Sequence, residues 1–265
     1  MASTSAAQTR VNQQITSGVQ FDAVSQNAVA VTQASGLQQV MAQSGVYKAN
    51  LNELDGRYAE SDQSLSVIHD SLGRIAEALG QSRNGALSTN DRTALGVTIQ
   101  GEVAAIAAEL ARKDSQGRAM FSGGSADADH PALQVRPGQT LATAIPLSAA
   151  DQASLSALGS ASWTSGPGLA GSSDAQRASA VALVAGLQDA ALGARQAVGG
   201  SWALVGNYQD ANQSVADGAQ VSRSALIETD VAKSAADLAT YTAQLQAARA
   251  LFSRIQSTSL FDIIR

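Results

Sequence analysis

The chain has 265 residues, of which 45% are hydrophobic and 15% charged, and its mean hydropathy lies near zero. This is long enough to bury a substantial core, and it is not the composition of a membrane span, a collagen, a disulfide scaffold or a disordered polyelectrolyte. The net charge of -5 with scattered basic residues, only three of them Lys (Lys48, Lys113, Lys233), leaves no positive stripe for nucleic acid and no polybasic patch for a membrane surface. Cysteine is absent, which removes thiol chemistry and Cys-ligated zinc. Aromatic residues make up 4% and alanine numbers 53, so the interior must be built from small aliphatic side chains on closely packed helices.

In chain order, the N-terminal residues Met1-Ala2-Ser3-Thr4-Ser5 lack a basic region followed by an apolar stretch. A cleaved secretory signal is therefore not expected. From Leu37, alternate steps of three and four give Val40, Ser44, Tyr47, Leu51, Leu54, Tyr58, Ser61, Leu65, Ile68, Leu72, Ile75 and Leu79. Only two serines interrupt this seam, which predicts one long helix with a left-handed coiled-coil face. Leu51, Leu54, Leu65, Ile68, Leu72 and Ile75 are its expected intramolecular core. Gly80 and Arg83-Asn84-Gly85 end that helix. Ser88-Thr89-Asn90-Asp91 then offers N-caps for a second one carrying Leu95, Ile99, Val103, Ile106 and Leu110. The two are expected to pair antiparallel.

All four prolines (Pro131, Pro137, Pro146, Pro167) fall in one window of the chain. Proline is excluded from helix interiors, so the chain reads as a helical arm (1–118), an insert (119–173) and a second helical arm (174–265). Ala132–Arg136 and Thr140–Ile145 alternate weakly, as short strands do. From Asp174, a candidate N-cap, Val181, Val184, Leu187, Ala191, Ala194 and Val198 form a narrow stripe, with Gly199-Gly200 a candidate kink before Trp202, Val205 and Tyr208. The last helix repeats Val231, Leu238, Leu245 and Phe252 every seven residues, interleaved with Ser234, Tyr241, Ala248 and Ile255. It continues into the apolar end Leu260-Phe261-Asp262-Ile263-Ile264. Apolar side chains at a chain end are costly in water unless covered, so this end expects a partner. The expected fold class is mainly α: a long antiparallel helical bundle or coiled coil formed by both chain ends, with a small β-containing insert domain.

Catalytic constellations are absent from the pattern. His69 flanks the seam and reads as a solvated helix histidine; His130, with Asp127 and Asp129, reads as a polar turn rather than a metal site. Ser122-Gly123-Gly124-Ser125 lacks the lysine of a phosphate loop. Glu228 and Asp230 fall where a helix start would use them as caps. No catalytic residue, metal or cofactor is expected, and the chain does not read as an enzyme.

Several strings, in this order, resemble the bacterial flagellin superfamily, most closely the hook-associated protein 3 branch. Arg10-Val11-Asn12-Gln13-Gln14-Ile15-Thr16-Ser17-Gly18 is similar to the family's Leu-x-x-x-Ile-Ser-Ser-Gly helix end. Asn50, Ala59, Leu65, Ile68 and Leu72 match its second helix, and Ile99-Gln100-Gly101-Glu102-Val103 its Ile-x-x-Glu-Ile pattern. Met120-Phe121-Ser122-Gly123 resembles the Leu-Phe-Ser-Gly of hook-associated protein 3 rather than the Phe-Asn-Gly of flagellins. Ile227-Glu228-Thr229-Asp230 resembles the string opening the last helix, and Ser259-Leu260-Phe261 the terminal Ser-Leu-Leu. The chain departs from the family after Gly18, where Asp22-Ala23-Val24-Ser25-Gln26-Asn27-Ala28 replaces Asp-Asp-Pro-Ala, and its helix before Ser17-Gly18 is short. The insert has no counterpart.

The resemblance implies a structural subunit exported to the extracellular flagellum without signal cleavage. Its implied partners are like subunits in a ring or tube, a neighbouring hook-associated protein, flagellin and an export chaperone, with neither nucleic acid nor membrane insertion. Leu238, Leu245, Phe252, Ile255, Leu260 and Ile263 are the expected assembly contacts, with Leu238 and Leu245 equally readable as internal core. A hook–filament junction adaptor is the first reading, flagellin the second, and a glycan-binding surface protein acting through the insert the third.

Overall fold

In the computed structural model, residues 2–21, 23–121, 130–164 and 166–258 are described. The fold is mainly α-helical. In chain order it runs α1 (Ala2–Ser17), α2 (Ala28–Ser82), α3 (Thr89–Leu110), strands β1 (Leu133–Arg136) and β2 (Gln139–Leu141), α4 (Ala149–Ala157), a 3-10 turn (Leu158–Ser160), α5 (Gly166–Gly171), α6 (Asp174–Ile227) and α7 (Val231–Thr258). The chain divides into two compact units, residues 45–212 and the paired segments 1–44 and 213–265.

The unit of residues 45–212 is built on antiparallel helices. Arg74 on α2 bonds Glu102 on α3, and Arg112 reaches Ser64, so α2 and α3 run in opposite directions. Asp62, Asp55 and Asn52 of α2 meet Arg195, Trp202 and Gln209 of α6 in the reverse order. Leu51, Leu54, Leu65, Ile68, Leu72, Ile75 and Leu79 are fully buried, as the seam predicts. Ser61, one of its two interruptions, is also fully buried, and its hydroxyl donates to the Arg57 carbonyl at 2.6 Å, so its polarity costs little. Ile99, Val103 and Ile106 of α3 and Ala180, Val184, Leu187, Ala191, Ala194 and Val198 of α6 complete the same cluster.

Local chemistry sets the helix boundaries. Ser88 caps α3 in a reciprocal capping box with Asp91. Arg92 of α3 folds back onto the Ser82 and Asn84 carbonyls, satisfying acceptors that the end of α2 leaves open. Three sequence expectations change. Helix α2 begins at Ala28, nine residues before Leu37, because Asn27 accepts the Ala30 amide as an N-cap. In its first turns the covered face carries Ala30 and Ala34; the seam position Val40 is exposed, whereas the seam position Ser44 is buried. Helix α6 runs unbroken through Gly199-Gly200, since Val198 and Val205, buried on either side, outweigh a propensity cost of ~1 kcal/mol per glycine. Its start is capped not by Asp174 but by Ser173, which accepts the Gln176 amide while the Gln176 side chain accepts the Ser173 amide.

The insert region forms a hairpin, β1 against β2, joined by Pro137-Gly138 with Gly138 at φ 72°, a conformation that favours glycine. The second strand covers Gln139–Leu141 and does not extend to Ile145, which is fully buried instead. Val135, Ile145, Leu147, Leu155, Leu158, Trp163 and Leu169 belong to the same apolar cluster as α2, α3 and α6.

The unit of residues 1–44 and 213–265 is organised differently. Gly18, at φ 70°, ends α1 by donating its amide to the Gln14 carbonyl. A short antiparallel bridge joins Val19 to Glu228, where α6 stops and α7 begins. Asp230 caps α7 through the Lys233 amide. Helices α1 and α7 then pack against each other, with Gln8 donating to the Thr242 hydroxyl at 3.1 Å.

Candidate assembly surface

Helix α7 of the α1–α7 pair carries Val231, Leu251, Phe252 and Ile255 as exposed apolar residues. Thr229 lies across from Gly18, and Thr242 across from Gln8, so α7 advances as α1 recedes. At 1.5 Å per residue, Ala2 falls opposite about residue 248. Among the described residues, none of α1 lies opposite the last two turns of α7. Leu238 is half-buried and Leu245 buried within this unit, whereas Leu251, Phe252 and Ile255 are 61%, 50% and 63% exposed. Leu260 and Ile263, the remaining predicted contacts, lie outside the described residues.

Arg249 and Arg254 flank this exposed stretch, while Glu228, Asp230 and Asp237 gather near the start of α7. Only the N-cap Asp230 stands where the helix dipole favours its charge; the first turn itself holds Lys233 and the last turn no basic residue. Val231, predicted as part of the seam, is exposed.

Sequence periodicity missed a second group. Val24, Val29, Val215 and Val221 are exposed apolar residues of the same unit. They sit outside the heptad positions, so a search for seams passes over them. Periodicity also missed a buried charge cluster in the other unit. Arg57 and Asp114 form an ion pair with side chains only 2% and 4% exposed. Arg57 also donates to the Thr143 carbonyl at 2.6 Å and to the Ala119 and Met120 carbonyls. Arg118 pairs with Asp114 at 2.9 Å and with Glu53 at 2.8 Å. These groups line a polar cavity of about 160 Å³ together with Asn52, Glu60 and Gln116.

Burial is the largest influence on Arg57 and pulls its pKa below the ordinary arginine value, with Asp114 opposing. For Asp114, burial alone would raise the pKa. The Arg118 and Gln116 amides and the Arg118 guanidinium together outweigh it and hold the carboxyl below its ordinary value. The cluster ties α2 to the segment leaving α3 and to the chain after β2. Every strong donor in it already has an acceptor, so its chemistry is that of a fastener.

The two histidines are not convergent. His69 is half-buried with Nδ1 unpaired, not solvated as its flanking position implied, because residues beside a seam are partly covered by the neighbouring helix. His130 is buried, with Nε2 2.7 Å from the Ala119 carbonyl; Asp127 and Asp129 lie outside the described residues. Among the described residues no group of three or more His, Asp or Glu is placed to hold a metal ion, and no helix is long and apolar enough to cross a membrane.

With this geometry in place, the chain can be compared with known structures. The chain resembles a solved structure described as a "putative flagellar hook-associated protein from Vibrio parahaemolyticus", with a TM-score of 0.61 and 16% identity over 76% of this chain and 99% of that one. The two share a fold. No family model and no curated protein matches the sequence.

Proposed function

We propose that this chain is a structural subunit of the bacterial flagellum, an adaptor at the hook–filament junction of the hook-associated protein 3 type. The observation that carries the proposal is the α1–α7 pair: the two helices pack together in one unit, and Leu251, Phe252 and Ile255 of α7 stay exposed beside the paired stretch. An exposed apolar helix face that docks on a different surface of the next subunit makes heterologous contacts, and these build tubes and rings. The fold shared with a protein described as hook-associated and the string Met120-Phe121-Ser122-Gly123 support the same reading.

In this reading Phe252, Ile255, Leu260 and Ile263 contact neighbouring subunits, Leu238 and Leu245 join α1 to α7, and residues 119–173 face outward. The subunit is extracellular, leaves the cell without signal cleavage, and catalyses nothing. Like subunits, flagellin and a second hook-associated protein are its neighbours, and an export chaperone covers the C-terminal helix before assembly.

Immunogold labelling of intact flagella with an antibody against residues 119–173 tests it. Gold confined to a short band between hook and filament is the expected result. Gold along the whole filament would make the chain a flagellin, and absence of gold from flagella would remove the flagellar reading altogether.

A further inference from the structure

The apolar side chains of the α7 seam do not by themselves define its alignment on α1. Leu238, Leu245 and Phe252 recur every seven residues, with Tyr241, Ala248 and Ile255 between them. Sliding α1 by one heptad, about 10 Å, would set Val11 against chemically equivalent neighbours. The apolar contacts are also few: Val11 is the buried residue of α1 and Leu245 that of α7. Among the described residues the side-chain hydrogen bond from Gln8 to Thr242 marks the register of this short, repetitive seam, and a single half-buried bond of this kind is worth only ~1 kcal/mol.

Two chain segments between the helices supply what the seam lacks. The Thr229 amide donates to the Gly18 carbonyl at 3.0 Å, and the Gln20 amide donates to the Ile227 carbonyl at 2.6 Å. The Gln14 side chain closes the turn by donating to the Gln20 carbonyl at 2.9 Å. Thr229 and Ile227 are buried at this point. Backbone pairing is specific to the residue: a one-heptad slip would break both amide bonds and leave their partners unsatisfied.

We propose that segments 18–20 and 227–229 form a register clamp, which selects among heptad-equivalent alignments of α1 on α7 the one that leaves Phe252 and Ile255 uncovered. The clamp sets how much of the α7 seam is available to a partner. It stands on the geometry of this unit and does not depend on the flagellar reading.

The natural chain has no cysteine, so crosslinking reads the register directly in the full-length protein. Gln8→Cys is combined with Thr242→Cys for the observed alignment, and with Ala235→Cys or Arg249→Cys for alignments one heptad away; a short bis-maleimide then reports which pair is close. In the otherwise unaltered chain the Thr242 pair dominates. Thr229→Pro deletes one clamp donor just before the Asp230 cap, and Gln20→Pro deletes the other; each is expected to raise the shifted pairs about tenfold relative to the Thr242 pair, as the loss of one buried hydrogen bond implies. Thr229→Val keeps the amide and is expected to keep the register. Crosslinking confined to the Thr242 pair in both proline variants would overturn the clamp. So would loss of every crosslink in both, which would make these segments necessary for pairing itself, or a shift in Thr229→Val.

Discussion

Residues 45–212 and the paired segments 1–44 and 213–265 draw on the same small aliphatic alphabet, yet they bury it in opposite ways. The buried cluster that forms the core extends from Leu51 to Val205 and takes no residue from the other unit. The segments 1–44 and 213–265 bury little more than Val11, Ala30, Ala34, Ala219, Ile227 and Leu245, while nine large apolar residues stay exposed among those described. Charge divides the same way: six basic and six acidic residues cancel in the terminal segments, so the whole net charge of -5 sits on residues 45–212. One unit is finished by its own core; the other is neutral in net charge and leaves much of its apolar surface exposed, and this exposed face is the proposed assembly surface.

Substitutions test this contrast, and the largest effect is expected at the fastener. Arg57→Ala strands Asp114 as a buried, partly unpaired carboxylate and should lower stability by ~3–5 kcal/mol, read as a shift of the urea midpoint. Leu72→Ala, a fully buried seam position, should cost ~2–5 kcal/mol. Val11→Ala in the terminal unit should cost no more than ~1–2 kcal/mol. Equal losses at the two sites would contradict the difference in packing.

Acid gives a smaller and graded test. Asp114 titrates below the ordinary aspartate value in the folded chain. A carboxyl held low stabilises the fold while ionised, so its contribution is complete above the unfolded value of ~3.9 and is lost as pH falls through the lower folded value. Stability measured across that window should therefore fall less steeply in Asp114→Asn than in the unaltered chain, once each is referenced to neutral pH.

The smallest expected effect on stability is at the proposed assembly surface. Phe252→Asp with Ile255→Asp changes exposed positions and should leave the unfolding midpoint within ~0.5 kcal/mol of its original value. The same pair should abolish self-association in sedimentation and incorporation into flagella. A large loss of stability instead would mean that these side chains belong to the subunit's own core.

Much of this was legible in the residues alone. The run from Leu51 to Leu79, the Ser88 cap and the Asp230 cap follow from period and local chemistry, which act over a few neighbouring residues and are written in chain order. What stayed hidden depends on residues distant in sequence. Arg57 meets Asp114 and Thr143 only once α2 lies beside the start of the insert region, and nothing near position 57 announces a buried arginine. Gly199-Gly200 reads as a break because propensity is local, whereas the packing that keeps α6 continuous comes from distant residues such as those of α2. The register of α1 on α7 is beyond the reach of sequence for a plainer reason: a heptad repeat determines which face pairs, and only a contact that does not repeat can determine where.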